Sequence, residues 1–112
     1  MNLTKTQTGQ YAIITVNAGR IDAAVAIQFK DAMRAQIDDD ATHFVLNLEQ
    51  VMFIDSSGLG AIVAAMKMLG PGKRMDLAVL SPDVEKVFRL TRMDSIFQIH
   101  DTLHALEPRQ AG

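Results

Sequence analysis

The sequence has 112 residues, 48% of them apolar, so we expect a single domain spanning residues 1–112 with one sizeable core. The formal net charge is −2 and no basic cluster occurs, which argues against direct binding to nucleic acid. The absence of cysteine excludes disulfides and thiolate chemistry. No apolar run approaches the roughly 20 residues that span a bilayer, and the first residues lack the apolar stretch of a signal peptide. We therefore expect a cytoplasmic protein without a membrane partner.

The first half of the chain is predicted to form a hairpin, a helix and a strand. Residues 11–16 are β-branched and apolar and follow the turn signal Thr8-Gly9-Gln10, so the residues before this turn are expected to pair with them. Asp22 is a candidate N-cap for a helix that is expected to end near the three aspartates 38–40. Residues 43–48 alternate between two faces, as in a strand. The helix stripe consists of Val25, Phe29, Met33 and Ile37.

The second half continues this alternation of strands and helices. Residues 76–80 are predicted to form a strand, and Ser81-Pro82 is predicted to start the helix that follows it. Residues 96–99 are predicted to form a last strand and residues 101–106 a final helix, followed by a frayed tail at 108–112. Together the pattern predicts an α/β fold. Its sheet is mixed and mostly parallel, with about four to five strands, an N-terminal hairpin and about four helices. The predicted inward residues are Val84, Val87, Phe88, Leu103 and Leu106.

Between the two halves, the stretch MFIDSSGLGA (residues 52–61) passes from a strand-like run through Asp55-Ser56-Ser57-Gly58 into a helix. Ser and Asp in this position are ordinary helix caps. A serine hydrolase elbow would need glycines two residues on either side of the nucleophile, which neither Ser56 nor Ser57 has. Three histidines could serve as a base, but nothing in the sequence orients one toward the cluster. They are His43, His100 and His104.

Three further interpretations of the chain involve phosphate. A Walker A loop is excluded because Gly72-Lys73 is followed by Arg74 and the first glycine is missing. A receiver domain phosphorylated on Asp55 would need an acidic pair after the first strand, where residues 17–20 read NAGR. The receiver interpretation stays open as the competing class. The third interpretation makes a serine hydroxyl at the helix start the substrate of another enzyme, because added charge there is compatible with the helix dipole but would repel a partner.

The helix after this cluster has a face with few charges. Opposite its predicted core stripe of Leu59, Ile62, Val63, Met66 and Leu69, it carries small residues and methionine, with Lys67 as the only charge. This face predicts either a docking surface for a partner, a dimer contact, or a helix buried on both sides within its own fold. The residues of the face are Ala61, Ala64, Ala65 and Met68.

Three motifs resemble those of the STAS domain, and in particular the stand-alone bacterial anti-sigma factor antagonists. Residues 47–60 are similar to the family signature N-L-x(4)-F-x-D-S-S-G-L-G. Residues 19–22, GRID, resemble its G-x-L-D before the first helix, although Arg20 stands where the family often has an acid or glutamine. Residues 80–88 resemble the segment after its penultimate strand. The resemblance covers nearly the whole chain and implies a STAS-like sheet with helices mainly on one side.

The resemblance also implies a function as a binding switch without catalysis, cofactor or metal. In this family the unphosphorylated antagonist binds a GHKL-type serine kinase that is also the anti-sigma factor, and this frees a sigma factor. The kinase phosphorylates the first serine of the signature, here Ser56, and a PP2C-type phosphatase reverses the modification. Ser57 is implied as a neighbouring cap, and a monomer or weak dimer is expected. The implied partner-binding residues are Asp22, Asp55, Ser57, Gly58 and Gly60, in addition to the helix face.

The family also contains members with other roles. Some act in partner-switching cascades that control secretion or motility, and others are subunits of lipid-transport complexes. The acceptor serine is intact in this sequence, which favours a phosphorylation cascade. Arg20 leaves the identity of the partner open.

Overall fold

The computed structural model describes residues 1–37 and 40–107, and within them strands and helices alternate along the chain. Two 3₁₀ turns follow the last α-helix, at Met93–Ser95 and His104–Leu106. The elements, in chain order, are β1 (Leu3–Thr8), β2 (Tyr11–Val16), β3 (Arg20–Ile21), α1 (Ala26–Ile37), β4 (His43–Asn47), β5 (Phe53–Ile54), α2 (Ser56–Lys67), β6 (Arg74–Ala78), α3 (Pro82–Leu90) and β7 (Ile99–His100).

The main sheet has five strands in the order β1-β2-β4-β6-β7. β1 and β2 form an antiparallel hairpin whose turn contains Gly9 with a φ of 59°, and the other neighbours are parallel. Parallel neighbours need crossover connections, which the helices supply. The predicted mixed, mostly parallel sheet with an N-terminal hairpin is therefore confirmed.

The three α-helices of the described residues pack on one face of this sheet. Phe44, Leu46 and Leu48 alternate onto that face and are fully buried, as their spacing predicts. The helices contribute Phe29, Met33 and Ile37 from α1, Leu59 and Ile62 from α2, and Val84 and Phe88 from α3. This side holds the main hydrophobic core.

The other face carries a small second core and a buried polar cluster. Ile13, Val45 and Ala78 pack under Leu106 of the second 3₁₀ turn. Beside them, the carboxylate of Asp76 is only 1% exposed. Its Oδ2 lies 2.7 Å from His43 Nε2 and 2.9 Å from His100 Nε2, and its Oδ1 accepts a hydrogen bond of 2.9 Å from Arg74 Nη2. One carboxylate thus links three neighbouring strands.

Some elements differ from the sequence prediction at their ends. β6 begins and ends two residues earlier than predicted, and α1 begins at Ala26, after a turn closed by the hydrogen bond from Val25 N–H to Asp22 C=O. The last strand contains only Ile99–His100, because Phe97 turns inward to pack edge-on against Phe88, with ring centroids 6.1 Å apart. Instead of a fourth α-helix, the chain forms the turn His104–Leu106. Asp38, Asp39 and the predicted tail at 108–112 lie outside the described residues.

Arg92 offers a direct test of backbone strain, because it adopts a φ of 61° at the end of α3. A side chain in this left-handed conformation costs about 1–2 kcal/mol, whereas glycine adopts it freely. We expect Arg92→Gly to raise the free energy of unfolding by about 0.5–1 kcal/mol in urea titrations. Arg92→Ala is the matched control, since it removes the same exposed side chain but keeps Cβ. An equal increase in the free energy of unfolding in both variants would contradict the inference that the backbone of Arg92 is strained.

Asp76 predicts how stability depends on pH. Burial by itself would raise the pKa of Asp76, but the hydrogen bonds from His100, His43 and Arg74 outweigh it and hold the pKa below its ordinary value. The stabilisation is therefore fully present above about pH 4 and is lost as the pH falls through the lower pKa of the folded state. We expect Asp76→Asn to cost about 3 kcal/mol at pH 7, because the buried carboxylate accepts charge-assisted hydrogen bonds that a neutral amide cannot replace. Unfolding curves at pH 7 and pH 3 should show this difference shrinking in acid.

Candidate functional site

A second, two-stranded sheet brings two distant loops together. β3 and β5 are parallel, with Arg20 opposite Phe53 and Ile21 opposite Ile54, and Met52 N–H donates to Gly19 C=O at 2.8 Å. Because the strands run in the same direction, the residues that follow them emerge at the same edge. This pairing places the loop of Asp22 next to Asp55.

Asp55 connects this edge to α2. Its Oδ1 accepts a hydrogen bond of 2.8 Å from Gly58 N–H, which makes Asp55 the N-cap of α2, and its Oδ2 accepts one of 3.1 Å from Ala23 N–H. The Gly58 hydrogen bond, helped by that of Ala23, overcomes partial desolvation and lowers the pKa of Asp55 below its ordinary value. The carboxylate is therefore ionised at neutral pH, and the cap is Asp55 rather than Ser57, which corrects the expectation for Ser57.

Ser56 occupies the first position of α2, and both it and Ser57 are exposed. The free N–H groups and the dipole of a helix N-terminus favour negative charge at this point. On the other side of the edge, Asp22 Oδ1 accepts a hydrogen bond of 3.1 Å from Ala24 N–H, and its side chain is 16% exposed. Ser56 is thus exposed at the start of α2, directly after Asp55, and Asp55 in turn holds the loop that carries Asp22 through the N–H of Ala23.

The two glycines after the serines have different surroundings. Gly58 is buried, and a Cβ placed on it would lie 1.8 Å from the carbonyl oxygen of Ile21. The absence of a side chain is thus needed for α2 to approach β3 within the chain, so Gly58 does not present a surface to a partner. Gly60 is exposed and has open space around it, so another backbone can approach it closely.

The face of α2 predicted to bind a partner is largely used by the protein itself. Ala61 and Ala65 are 3% and 0% exposed and belong to the main core, so their assignment to a partner surface was wrong. Ala64 and Met68 are half-buried. The reason is that α1 packs along α2, so α2 is covered by the sheet on one side and by α1 on another. Of the three alternatives for this helix face, the structure therefore supports a helix that is buried on two sides within its own fold.

Two exposed residues a few positions before Ser56 were missed by the sequence reasoning. Met52 and Phe53 are 58% and 46% exposed, although they lie in an apolar run that was interpreted as strand. The guanidinium carbon of Arg20 lies 5.3 Å from the centroid of the Phe53 ring. A strand of two residues is too short for alternation to show which side chain points outward. Arg20, Met52 and Phe53 together form an exposed surface on the paired segments that lead into Asp22 and Asp55.

The histidines are engaged away from this edge. His43 and His100 contact Asp76 on the face of the sheet opposite the helices, and His104 Nδ1 lies 3.1 Å from Glu107 Oε2. The geometry therefore gives no support to a serine hydrolase. In the described residues no group of three His, Cys, Asp or Glu side chains could hold a metal ion, and no described helix is long and apolar enough to cross a membrane.

We use the name acceptor edge for the end of the paired strands β3 and β5 at which Asp22, Asp55 and Ser56 follow the strands. The structure is thus a small α/β domain with a serine at a helix start. A family model described as STAS domain matches residues 2–106, and the chain belongs to the STAS domain family. The anti-sigma F factor antagonist of Paenibacillus polymyxa is 31% identical over 77 residues, which cover 63% of this chain and 66% of that protein. The anti-sigma-B factor antagonist of Staphylococcus aureus is 24% identical over 103 residues, covering 90% and 95%.

Solved structures show the same fold. The crystal structure of an anti-sigma factor antagonist from Mycobacterium paratuberculosis has a TM-score of 0.82 and 24% identity, and the match covers 94% of this chain and 89% of that one. The recognition of the family from residues 19–22, 47–60 and 80–88 is therefore confirmed. The third of these motifs has a structural role, because the Ser81 hydroxyl donates to Val51 C=O at 3.0 Å and so anchors the segment before β5.

Gly58 and Gly60 provide a matched pair for testing the approach of α2 to β3. We expect Gly58→Ala to lower the free energy of unfolding by about 3 kcal/mol, because its Cβ would overlap a backbone carbonyl that has little freedom to move. Gly60→Ala adds the same methyl group to the same helix in open space, so it should be neutral or stabilise by up to about 1 kcal/mol. Urea unfolding of both variants measures the difference. Similar values would contradict the close approach.

Proposed function

We propose that this STAS domain is an anti-sigma factor antagonist that works by partner switching. In its unphosphorylated form it binds a GHKL-type serine kinase that is also the anti-sigma factor, and a sigma factor is released. Phosphorylation of Ser56 ends the binding, and a PP2C-type phosphatase restores it. The domain acts in the cytoplasm, carries no catalysis of its own and needs no cofactor.

The observation that supports this proposal most strongly is the position of Ser56. It is exposed at the first position of α2, outside both cores, directly after Asp55 and on the same edge as Asp22. A kinase can reach this hydroxyl without unfolding the domain. The names of the relatives in Paenibacillus polymyxa and Staphylococcus aureus support the same class of function.

The chemistry at Ser56 is a simple phosphoryl transfer. The Oγ attacks the γ-phosphorus of ATP, the bond from that phosphorus to the bridging oxygen breaks, ADP leaves, and the hydroxyl proton passes to a base of the kinase. The phosphatase hydrolyses the ester to the free hydroxyl and inorganic phosphate. The substrate domain needs only to present the hydroxyl, which the rigid start of α2 does.

The same geometry explains why the modification acts on binding and not on folding. A phosphate adds about −1.5 to −2 charges at neutral pH. At a helix N-terminus this charge is favourable for the helix itself, whereas beside Asp22 and Asp55 it makes the surface strongly negative toward a partner. A partner that fits the unmodified edge is then repelled by the negative charge and sterically hindered by the phosphate. The stability of the domain itself is unchanged.

The proposal predicts how three substitutions separate binding, phosphorylation and folding. With the GHKL-type kinase from the same organism and ATP, mass spectrometry should place phosphate on Ser56, and Ser56→Ala should abolish labelling. Ser57→Ala is the matched control and should still be labelled. In calorimetry without ATP, Ser56→Ala should bind the kinase like the natural chain, whereas Ser56→Asp should bind at least about tenfold more weakly.

The fold must survive for this result to be interpretable. Because Ser56 is exposed, Ser56→Asp should change the free energy of unfolding by no more than about 0.5 kcal/mol. Phosphate on Ser57 instead of Ser56, or equal binding by Ser56→Asp and Ser56→Ala, would overturn the proposed switch.

A further inference from the structure

Arg20 is held beside the acceptor edge by two weak contacts. Its Nε lies 3.6 Å from Asp22 Oδ2, and its guanidinium carbon lies 5.3 Å from the centroid of the Phe53 ring. The side chain is 66% exposed, so water weakens both contacts. Asp22 also accepts the hydrogen bond of Ala24 N–H through its other oxygen. The guanidinium is therefore positioned near the edge but is only lightly restrained.

Arg20 is also the only positive charge in the segments that build this edge. From residue 17 to 25 and from residue 50 to 66, the sequence contains Asp22 and Asp55 as acids and Arg20 as the single Lys or Arg. Without phosphate, the edge has two carboxylates and one guanidinium. A phosphate on Ser56 would add about −1.5 to −2 charges, which leaves Arg20 as the nearest basic group supplied by these segments.

The arrangement of β3 and β5 gives Arg20 a path to that phosphate. Arg20 stands opposite Phe53, and neighbouring strands lie about 4.8 Å apart. Its side chain already points along the strand direction toward Asp22. In the register of the two strands Asp22 follows opposite Asp55, and Ser56 is the next residue of the chain. A dianion with three acceptor oxygens is a stronger partner for a guanidinium than an aromatic ring or a carboxylate 3.6 Å away.

We propose that phosphate on Ser56 draws the guanidinium of Arg20 away from Phe53 and Asp22 into an ion pair. The inference rests on the proposed phosphorylation of Ser56. In the unphosphorylated state the surface of Arg20, Met52 and Phe53 presents a cation on an aromatic ring in the segments that lead into the edge, which fits a partner that carries an acidic side chain. In the phosphorylated state that cation is neutralised. Modification thus adds a negative charge and withdraws a positive one, and Arg20 is a specificity-determining residue of the switch.

The pairing can be tested without a kinase. Phosphoserine is inserted at position 56 during translation by an expanded genetic code, and its second ionisation is followed by phosphorus NMR between pH 4 and pH 8. A nearby guanidinium favours the dianion, so the phosphate pKa should be lower in the natural background than in Arg20→Gln by about half a unit or more. Arg20→Lys should keep part of this difference, because it keeps the charge but not the planar fork.

Arg34→Gln is the matched control. Arg34 is also 66% exposed and also pairs with an aspartate, Asp31, at 3.2 Å, but it lies in the last turn of α1. This variant changes the net charge by the same amount and should leave the phosphate pKa unchanged. A second readout is the Phe53 ring, whose proton shifts should change on phosphorylation of the natural chain and change much less in Arg20→Gln.

Two outcomes would overturn the inference. The first is an identical phosphate pKa with Arg20 and with Gln at position 20, and the second is an equal shift in Arg34→Gln, which would reflect net charge alone. Either can occur while the kinase still labels Ser56. Conversely, a chain that no kinase labels can still show the pairing, because the phosphoserine is installed beforehand, so the two failures are distinguishable.

Discussion

The carboxylate of Asp55 is the interaction on which the acceptor edge depends. One oxygen caps α2 through Gly58 N–H and the other holds Ala23 N–H, so a single side chain joins the start of a helix to a loop 32 residues away in sequence. Both hydrogen bonds favour the ionised form. Because this carboxylate fixes the start of α2, it also defines the position of Ser56, the first residue of that helix.

The close approach of Gly58 to Ile21 complements this carboxylate. The carboxylate orients the first turn of α2, and the missing side chain lets that turn press against the backbone of β3. The short parallel pairing of β3 with β5 then fixes which residues emerge together, namely Asp22 with Asp55 and Arg20 with Phe53. Three constraints define the geometry of the edge: the Asp55 cap, the close approach of Gly58 to Ile21, and the pairing of β3 with β5.

The two faces of the main sheet have different structural roles. The helix face buries most of the apolar side chains and supports α2, whose exposed first turn carries the proposed switch. The opposite face holds the carboxylate of Asp76 among His43, His100 and Arg74, and this cluster fastens β4, β6 and β7 to one another. Charge added at the acceptor edge therefore falls outside both cores, which agrees with a modification that alters recognition while the fold persists.

The sequence alone determined the alternation of the main-sheet strands with α1, α2 and α3, the buried alternation of Phe44, Leu46 and Leu48, the mixed sheet and the family, because these follow from local periodicity and from motifs of contiguous residues. It also singled out Ser56 and the two acids beside it. It did not show the two-stranded sheet of β3 and β5, because strands of two residues are too short for a periodicity to appear. Only the tertiary structure decided that Ala61 and Ala65 face the core, that Asp55 rather than Ser57 caps α2, and that Arg20 lies over Phe53. Each of these features depends on which elements pack against one another. The residue pattern of one helix or of one two-residue strand carries no information about the distant element that packs against it.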